Sequence, residues 1–518
     1  MANIIQRGRL SKRTLLRGLG VAALAAFEDP LQALAAGTYA AEYPVDPAQT
    51  FDAIVVGAGT AGMPLAIHGA RRGKILVIEK SGQIGGTLFI SGGLMSAAGT
   101  RLQARKGIKD TAQLHYDDTM RLAHNKANPP VLRRFVDSAG AAYDWLEDIG
   151  FTVRPDHPVT GTSHADFQVA RYQQGPDGGR SILRAMLPEF LKAEAAGNLR
   201  VLMRTGVVEL TKSADGAVTG VIVEDENQKR TQYRSRNVVL TSGGCLMNPA
   251  MFERLNYKPL YARRVYPYSM GQGIDLGLSV GGHVSGGDMY ITHRGVIMAD
   301  RNYPAPVFAS IASSLDPRYR MPWEIEVNRL GERFVAEDAD LDRLERAQTV
   351  QPGMSSILVW DQEIYDKAPP LFPAMAKEQQ HLAFETQAFY AKGGTLEEVA
   401  RKLGIPAAAL ARTVSEYNAG VAAKSDRLGR KHLPLPIAKP PFYAVECLGS
   451  SLFGHAGLDI DGDLRVITAD RKPIKNLYAA GEVTGGWHNS GDVVVNGCMV
   501  TPAITFGRLL GARLLPFA

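Results

Sequence analysis

The chain has 518 residues, enough for more than one core, and its 45% hydrophobic and 21% charged content is that of an ordinary folded protein. The formal charge of +6 divides into +3 within residues 1–35 and +3 spread over the remainder, which argues against a nucleic-acid partner. No window approaches the ~18 unbroken apolar residues of a membrane span. Cys245, Cys447 and Cys498 are too scattered for a disulfide framework, a metal-ligand spacing or a haem attachment, so no metal site is expected.

The N-terminus reads as an export signal over residues 1–35. Arg7, Arg9, Lys12, Arg13 and Arg17 precede a short apolar run at 18–27, and Ala33-Leu34-Ala35 has a small-x-small cleavage pattern. Residues 11–17 resemble a twin-arginine signal with Lys12 in place of the first arginine. A periplasmic or otherwise exported protein is expected; the alternative is an uncleaved surface arm on a cytoplasmic one.

Residues 51–56 form a β-branched run typical of a buried parallel strand, followed by Gly57-Ala58-Gly59-Thr60-Ala61-Gly62 and a helical stretch through Arg72. A second buried strand at 74–78 ends on Glu79. Gly57 permits the tight turn, Gly59 lets backbone approach a pyrophosphate, and Gly62 lets helix and strand pack closely. The helix N-terminus offers free N–H groups and partial positive charge to phosphates, and Glu79 is placed for ribose hydroxyls. A dinucleotide site is therefore expected here, with Lys80 beside it.

A second glycine-rich stretch, with Gly85, Gly86, Thr87, Ser91, Gly92 and Gly93, follows closely. Much later come the strand 238–240 leading to Thr241, Ser242 and Gly243, and the strand 477–480 leading to Gly481 and Glu482. These four motifs, in this order, favour FAD over NAD. The region from about Asp52 to Arg513 resembles the flavoprotein subunits of fumarate reductase and succinate dehydrogenase, with relatives urocanate reductase, tricarballylate dehydrogenase and 3-ketosteroid dehydrogenase.

The resemblance implies a discontinuous, Rossmann-like α/β FAD-binding domain interrupted by an α+β substrate-capping domain. It places Gly57, Gly59, Thr60, Ala61 and Gly62 on the pyrophosphate, and Glu79 and Lys80 by the ribose. The segment 85–93 falls beside the isoalloxazine and ribityl chain, with Val208 on the adenine-side strand. Thr241, Ser242, Gly243, Gly481, Glu482, Val500 and Thr501 complete the cofactor contacts. Flavinylated relatives carry a histidine in the second glycine segment; Leu88, Phe89 and Ile90 offer none, so a non-covalent flavin is expected.

The C-terminal helix is expected to start with Thr501 as N-cap and Pro502 in its first turn. Its N-terminus then either stabilises reduced flavin or simply caps the fold. The strand-glycine pattern disappears after His293. There Thr395-Leu396-Glu397-Glu398 reads as a capping box, Gly404-Ile405-Pro406 as a break, and 407–417 as a second helix. The division expected is 50–290 and 441–518 for the FAD domain, with 291–440 as the cap.

Fumarate reductases use two histidines and two arginines. His293 sits at the first histidine's place, whereas the second falls on Phe453, with His455 two residues on. One arginine falls on Leu341 and reaches Arg343 only with a shift; the other belongs near 489–494, where none occurs. The C-terminal run 496–507 resembles the ketosteroid dehydrogenases, though their tyrosine falls on Val493. His293, His455 and His488 are the expected pocket residues, with Arg294 or Arg343 as acid or carboxylate partner.

The expected activity is hydride transfer between flavin N5 and a CH–CH or C=C bond beside a carbonyl or carboxylate, on a small molecule other than a four-carbon dicarboxylate. A separate cytochrome, quinone or dye is expected as electron partner. The alternatives are a flavin-dependent alcohol or amine dehydrogenase, and a flavin electron carrier or redox sensor without its own substrate.

Overall fold

The computed structural model describes residues 50–514 apart from 163 and 263–265; the expected export segment lies outside the described residues. Strand β1 (Ala53–Val56) turns through glycines into α1 (Gly62–Gly69) and returns as β2 (Ile75–Ile78). Then come α2 (Pro129–Asp148), α3 (Gly179–Ala195) and β3 (Leu199–Leu202). A meander follows of β4 (Thr205–Lys212), β5 (Val218–Asp225) and β6 (Arg230–Ser235), and the chain re-enters the first sheet as β7 (Val238–Leu240).

The next stretch carries β8 (His293–Met298), β9 (Val307–Ser310), β10 (Ile325–Val327), α4 (Leu341–Thr349) and β11 (Ser355–Asp361). It continues with β12 (Tyr390–Gly393), α5 (Leu396–Leu403), α6 (Ala407–Ala423) and β13 (Phe442–Ser450). The described chain ends with β14 (Arg465–Ile467), β15 (Pro473–Ala479) and α7 (Val500–Arg513).

The first sheet has the order β14-β15-β7-β1-β2-β3, parallel except for β14. Every residue of β1, β2 and β7 is buried, as continuous Val/Ile/Leu runs require in a sheet covered on both faces. Each such side chain contributes roughly 1.5–3 kcal/mol. The chain goes from β1 to β2 and β3 on one side, then to β7 and β15 on the other. That reversal opens a crevice at the carboxyl ends of the strands. Three glycine motifs and the terminal acid leave the sheet there: Gly57 after β1, Glu79 after β2, Thr241 after β7 and Gly481 after β15.

Helix α1 is shorter than the stretch expected to reach Arg72, and it packs directly on α7. A Cβ on Gly507 would lie 2.1 Å from the Ala61 carbonyl, and one on Gly511 would lie 2.4 Å from that of Leu65. Only glycine lets the two helix backbones approach this closely.

The second sheet is antiparallel, ordered β9-β8-β13-β11-β10, with β12 also on β13. Strand β13, expected in the returning half of the FAD domain, is central to this sheet, so the boundary expected at 440/441 falls before its central strand. Helix α5 opens as expected, Thr395 Oγ1 accepting from Glu398 N at 3.2 Å, but Glu398 accepts from Gly394 N at 2.7 Å and leaves the reciprocal bond of a capping box unmade. The helices α5 and α6 pack together, and α5 covers β12 and β13. Among the described residues no helix is long and apolar enough to cross a membrane.

Candidate active site

The glycine loop is shaped from both sides. Gly57 has φ +108°, and a Cβ there would lie 2.8 Å from the Thr241 carbonyl; one on Gly62 would lie 1.9 Å from the Gly57 carbonyl. Gly59 differs: its Cβ would meet only Gly86 Cα, at 3.9 Å, so this face of the loop is open. Gly85 N donates to the Ala58 carbonyl at 3.0 Å, and the Thr60 and Thr87 hydroxyls pair at 3.3 Å. Neither α1, whose N-cap is Ala61, nor α7 has a side-chain cap, which leaves amide N–H groups for an anion.

Glu79 is buried and accepts from Ala58 N at 2.8 Å and Ser81 N at 2.7 Å, keeping lone pairs for hydroxyls. The Lys80 stem lies beside Gly206, and Thr205 N, at the start of β4, donates to the Glu79 carbonyl; Val208, farther along β4, exposes its side chain. The Thr241 hydroxyl donates to the Gly57 carbonyl at 2.8 Å, locking the β7 turn onto the β1 turn. Ser242 Oγ is buried without a hydrogen-bond partner, and Gly243 has φ +80°. Ser91 Oγ accepts from Gly93 N at 3.0 Å, while Gln174 donates to the Gly92 carbonyl at 2.9 Å. Gly481 approaches Ala61, and half-buried Glu482, its carboxyl pushed up by desolvation, accepts from Gly454 N. Thr501 Oγ1 accepts from Ser96 N at 2.9 Å; α7 starts at Val500 with N-cap Met499, so the expected Thr501 cap is replaced by this long-range bond. Side chains are excluded where backbone must crowd and the Gly59 face stays open, so the residues fit a dinucleotide.

A cleft of about 170 Å³ is lined by Arg121, His124, His164, Asp340, Asp342, Glu345, Val493 and their neighbours. His293 joins it through Glu345: His293 Nδ1 is 3.4 Å from Glu345 Oε1, and His164 Nδ1 is 3.5 Å from Glu345 Oε2. Burial alone would raise the Glu345 carboxyl, but the two imidazoles outweigh it and hold it at about 2. At the cleft mouth His124 bridges Asp342 at 3.5 Å and Asp492 at 3.2 Å. Burial outweighs Arg346 and His124 at Asp342 and lifts its carboxyl above the usual range. Burial is outweighed at Asp492, where Lys126 and His124 hold the carboxyl low.

Among the expected pocket residues, His293 reaches this cluster. His455 lies behind it, fully buried, stacked on Phe453 at 4.7 Å, with burial lowering its pKa to about 4. His488 is displaced from the expected role: its ring nitrogens face Asn128 Nδ2 at 3.0 Å and the Leu458 carbonyl at 3.4 Å, so the interior occupies both. Arg294 is likewise displaced, its buried guanidinium donating through Nη2 to both oxygens of Glu326 and through Nε to Gln348 in the core beside the second sheet. Arg343 is exposed on α4, away from the cleft residues. His164, Glu345, Asp342, His124 and Asp492 were not foreseen. A readable trace existed for α4 alone, where 342, 345 and 346 share one helical face. Cys245 and Cys498 are buried thiols pushed up to about 12 by burial, which leaves them inert.

Residues 52–491 match the FAD binding domain family, and the chain belongs to it. It is 30% identical to NADH:fumarate oxidoreductase of Klebsiella pneumoniae over 470 residues, covering 89% of this chain and 47% of that protein. It is 28% identical to urocanate reductase of Eggerthella lenta over 488 residues (90% and 75%) and 25% identical to vinyl phenol reductase of Lactiplantibacillus plantarum over 461 residues (84% and 90%). The chain thus spans about half of the first relative's length and most of the other two. Among solved structures it is similar to 3-ketosteroid delta1-dehydrogenase from Sterolibacterium denitrificans, with TM-score 0.67, 20% identity, and coverage of 90% of this chain and 99% of that one. It is also similar to the open conformation of a flavocytochrome c3 fumarate reductase, with TM-score 0.65, 24% identity, and coverage of 92% and 82%. The expected Rossmann-like FAD-binding fold is therefore the one observed, and FAD is the cofactor that this fold and family carry.

Proposed function

We propose that this protein is an FAD-dependent oxidoreductase acting on a carbon–carbon bond next to a carbonyl or carboxylate, on a substrate other than a small dicarboxylate. When bound, FAD supplies the two-electron chemistry, exchanging a hydride at N5 with a substrate carbon. It is held by Gly57, Gly59, Gly62, Glu79, Gly85 and Glu482, non-covalently because residues 88–90 offer no histidine.

The carrying observation is the cleft's charge pairing. Arg121 is held by Asp118, Lys126 by Asp492, and Arg346 by Asp342, so the cations around the cleft already have carboxylate partners. A dicarboxylate needs two free cationic clamps. A substrate with one polar end and an apolar body suits the His164–His293–Glu345 cluster and the Val493–Val494 wall. The two imidazoles donate to the substrate oxygen, and the Glu345 carboxylate orients them. Asp342 is the proton carrier, because its raised carboxyl lines the cleft and His124 connects it to solvent.

The names of the relatives, reductases of urocanate and vinyl phenols among them, support an unsaturated substrate. Electrons pass to or from a separate cytochrome, quinone or dye, and the basic N-terminal segment supports export. Turnover with a reduced viologen dye tests the reading, using enones, aryl enoates and fumarate. An enone or aryl enoate is expected to exceed fumarate in kcat/KM at least about tenfold, or about 1.4 kcal/mol. Fumarate as best substrate, or turnover confined to alcohols and amines, contradicts it.

A further inference from the structure

Three side chains that are far apart in the chain converge at the inner end of the cleft. His164 comes from the loop before α3, His293 from the first residue of β8, and Glu345 from the middle of α4. Each offers one nitrogen or oxygen, and these atoms lie within 4.8 Å of one another. The cysteine and histidine spacings in the sequence contain no such set, because the fold alone assembles it.

The contacts are poor hydrogen bonds. His293 Nδ1 and Glu345 Oε1 stand 3.4 Å apart, beyond the ~2.7–3.2 Å of a formed N–H···O bond, and both atoms are buried without a hydrogen-bond partner. Buried polar atoms that go unpaired are costly, so such a pair calls for a ligand. His293 Nδ1 and His164 Nδ1 face the two different oxygens of Glu345 at 3.4 and 3.5 Å, close to the ~3.4 Å that metal bonds of about 2.0–2.2 Å put between ligand atoms of one tetrahedral ion. The two imidazole rings are inclined at 59°, with centroids 6.3 Å apart. They converge rather than stack.

The geometry points to a divalent metal site of first-row transition type, with zinc as the representative ion, held by His164, His293 and Glu345. Two imidazoles and one carboxylate are the donors that zinc and its neighbours prefer, and they are too nitrogen-rich for calcium or magnesium. Three protein ligands leave a fourth position open. His164 and Glu345 line the cleft together with Val493, so that position faces the substrate space. The ligands are braced: the His164 carbonyl accepts from Arg318 at 2.8 Å, and the Glu345 carbonyl accepts from Thr349 at 2.8 Å. Asp340 and Asp342, also lining the cleft, add negative charge that favours a cation.

At the open position the ion binds the carbonyl or carboxylate oxygen of the substrate and draws electron density from the adjacent carbon–carbon bond. It thereby takes the place of an unpaired guanidinium, since Arg121 at this cleft is held by Asp118. This second half rests on the function proposed above; the binding half stands without it.

The test begins with the flavin-loaded protein after dialysis against a chelator. Calorimetric titration with Zn²⁺ is expected to show one equivalent bound per chain, and Glu345→Gln and His164→Ala to weaken it at least about a hundredfold. Glu345→Gln is nearly isosteric, and unchanged flavin content in each variant confirms that it has folded. No binding by the parent chain, or equal binding by well-folded variants, overturns the site. Restoring Zn²⁺ to the chelated protein is expected to raise kcat/KM for an active enone at least tenfold. Equal turnover with and without bound zinc overturns the polarising role and leaves the function proposed above untouched.

Discussion

Glu345 Oε1 and His293 Nδ1 face each other at 3.4 Å where α4 meets β8, and neither atom is hydrogen-bonded elsewhere. The contact ties a helix to the first residue of a strand in the second sheet, and His164 brings a third element to the same carboxylate. A carboxylate held low by two imidazoles stands next to Asp342, whose carboxyl burial holds high. Environments that separate two neighbouring carboxyl groups in this way assign them different work, one to bind and one to carry a proton.

Asp342→Asn is expected to lower turnover about 10²- to 10³-fold while flavin content is unchanged, since general acid–base groups contribute in that range. His124→Ala lowers it less, because water replaces the relay at an exposed position. Steady-state kinetics beside flavin absorbance checks both. Full activity in Asp342→Asn removes this residue from the mechanism.

Arg294 is expected to matter for stability alone. Removing one partner of a buried pair costs about 3–5 kcal/mol, whereas replacing both with apolar residues of similar volume is close to neutral. Arg294→Met should therefore be strongly destabilised in chemical denaturation, and Arg294→Met combined with Glu326→Leu should recover most of the loss and keep its turnover. A stable double variant that has lost turnover shows Arg294 to be catalytic instead.

The glycine loop separates binding from folding. Gly59→Val is expected to fold, because its Cβ meets nothing closer than Gly86 Cα, yet to lose FAD affinity at least tenfold, or about 1.4 kcal/mol. Gly62→Ala places a Cβ 1.9 Å from the Gly57 carbonyl and should instead reduce soluble, folded protein. Circular dichroism and flavin titration distinguish the two.

Why some residues were legible and others were not follows from the same geometry. The β1–α1–β2 unit is readable because strand, glycines, helix and terminal acid are all local, and the motifs at 241–243 and 481–482 each end a strand of the same sheet. His293 and Arg294 are neighbours in the sequence, but adjacent residues of a strand point to opposite faces. With His293 turned toward the cleft, Arg294 goes to the core behind it. Arg343 failed for the equivalent helical reason, since Asp342, Glu345 and Arg346 share the face it does not. A fully buried strand such as β13 carries no mark in the sequence of which sheet it joins. His164 had no local signature, because its partners lie 129 and 181 positions away and only the fold brings them together.

Acid should destabilise the protein from about neutral pH downward. Burial lowers His455 and His488 to about 4, against 6.5 for an unperturbed imidazole. Above pH 6.5 both folded and unfolded chains are neutral at these positions. Between 6.5 and about 4 only the unfolded chain takes up the protons, so stability falls as pH falls, and the loss levels off below about 4. Thermal midpoints across that range should decline less steeply in His488→Gln than in the parent protein. Identical slopes contradict the buried neutral state of His488.

The central claim is that a carbon–carbon bond beside a carbonyl or carboxylate exchanges hydride with bound FAD. Anaerobic titration of the purified flavoprotein tests it most directly. Enones, enoates and their saturated counterparts are added while the absorbance of oxidised flavin is followed. Stoichiometric bleaching by a saturated compound, or reoxidation of reduced flavin by its unsaturated partner, is expected, with a weaker response to fumarate. A flavin that responds only to alcohols or amines, or to none of these compounds, contradicts it.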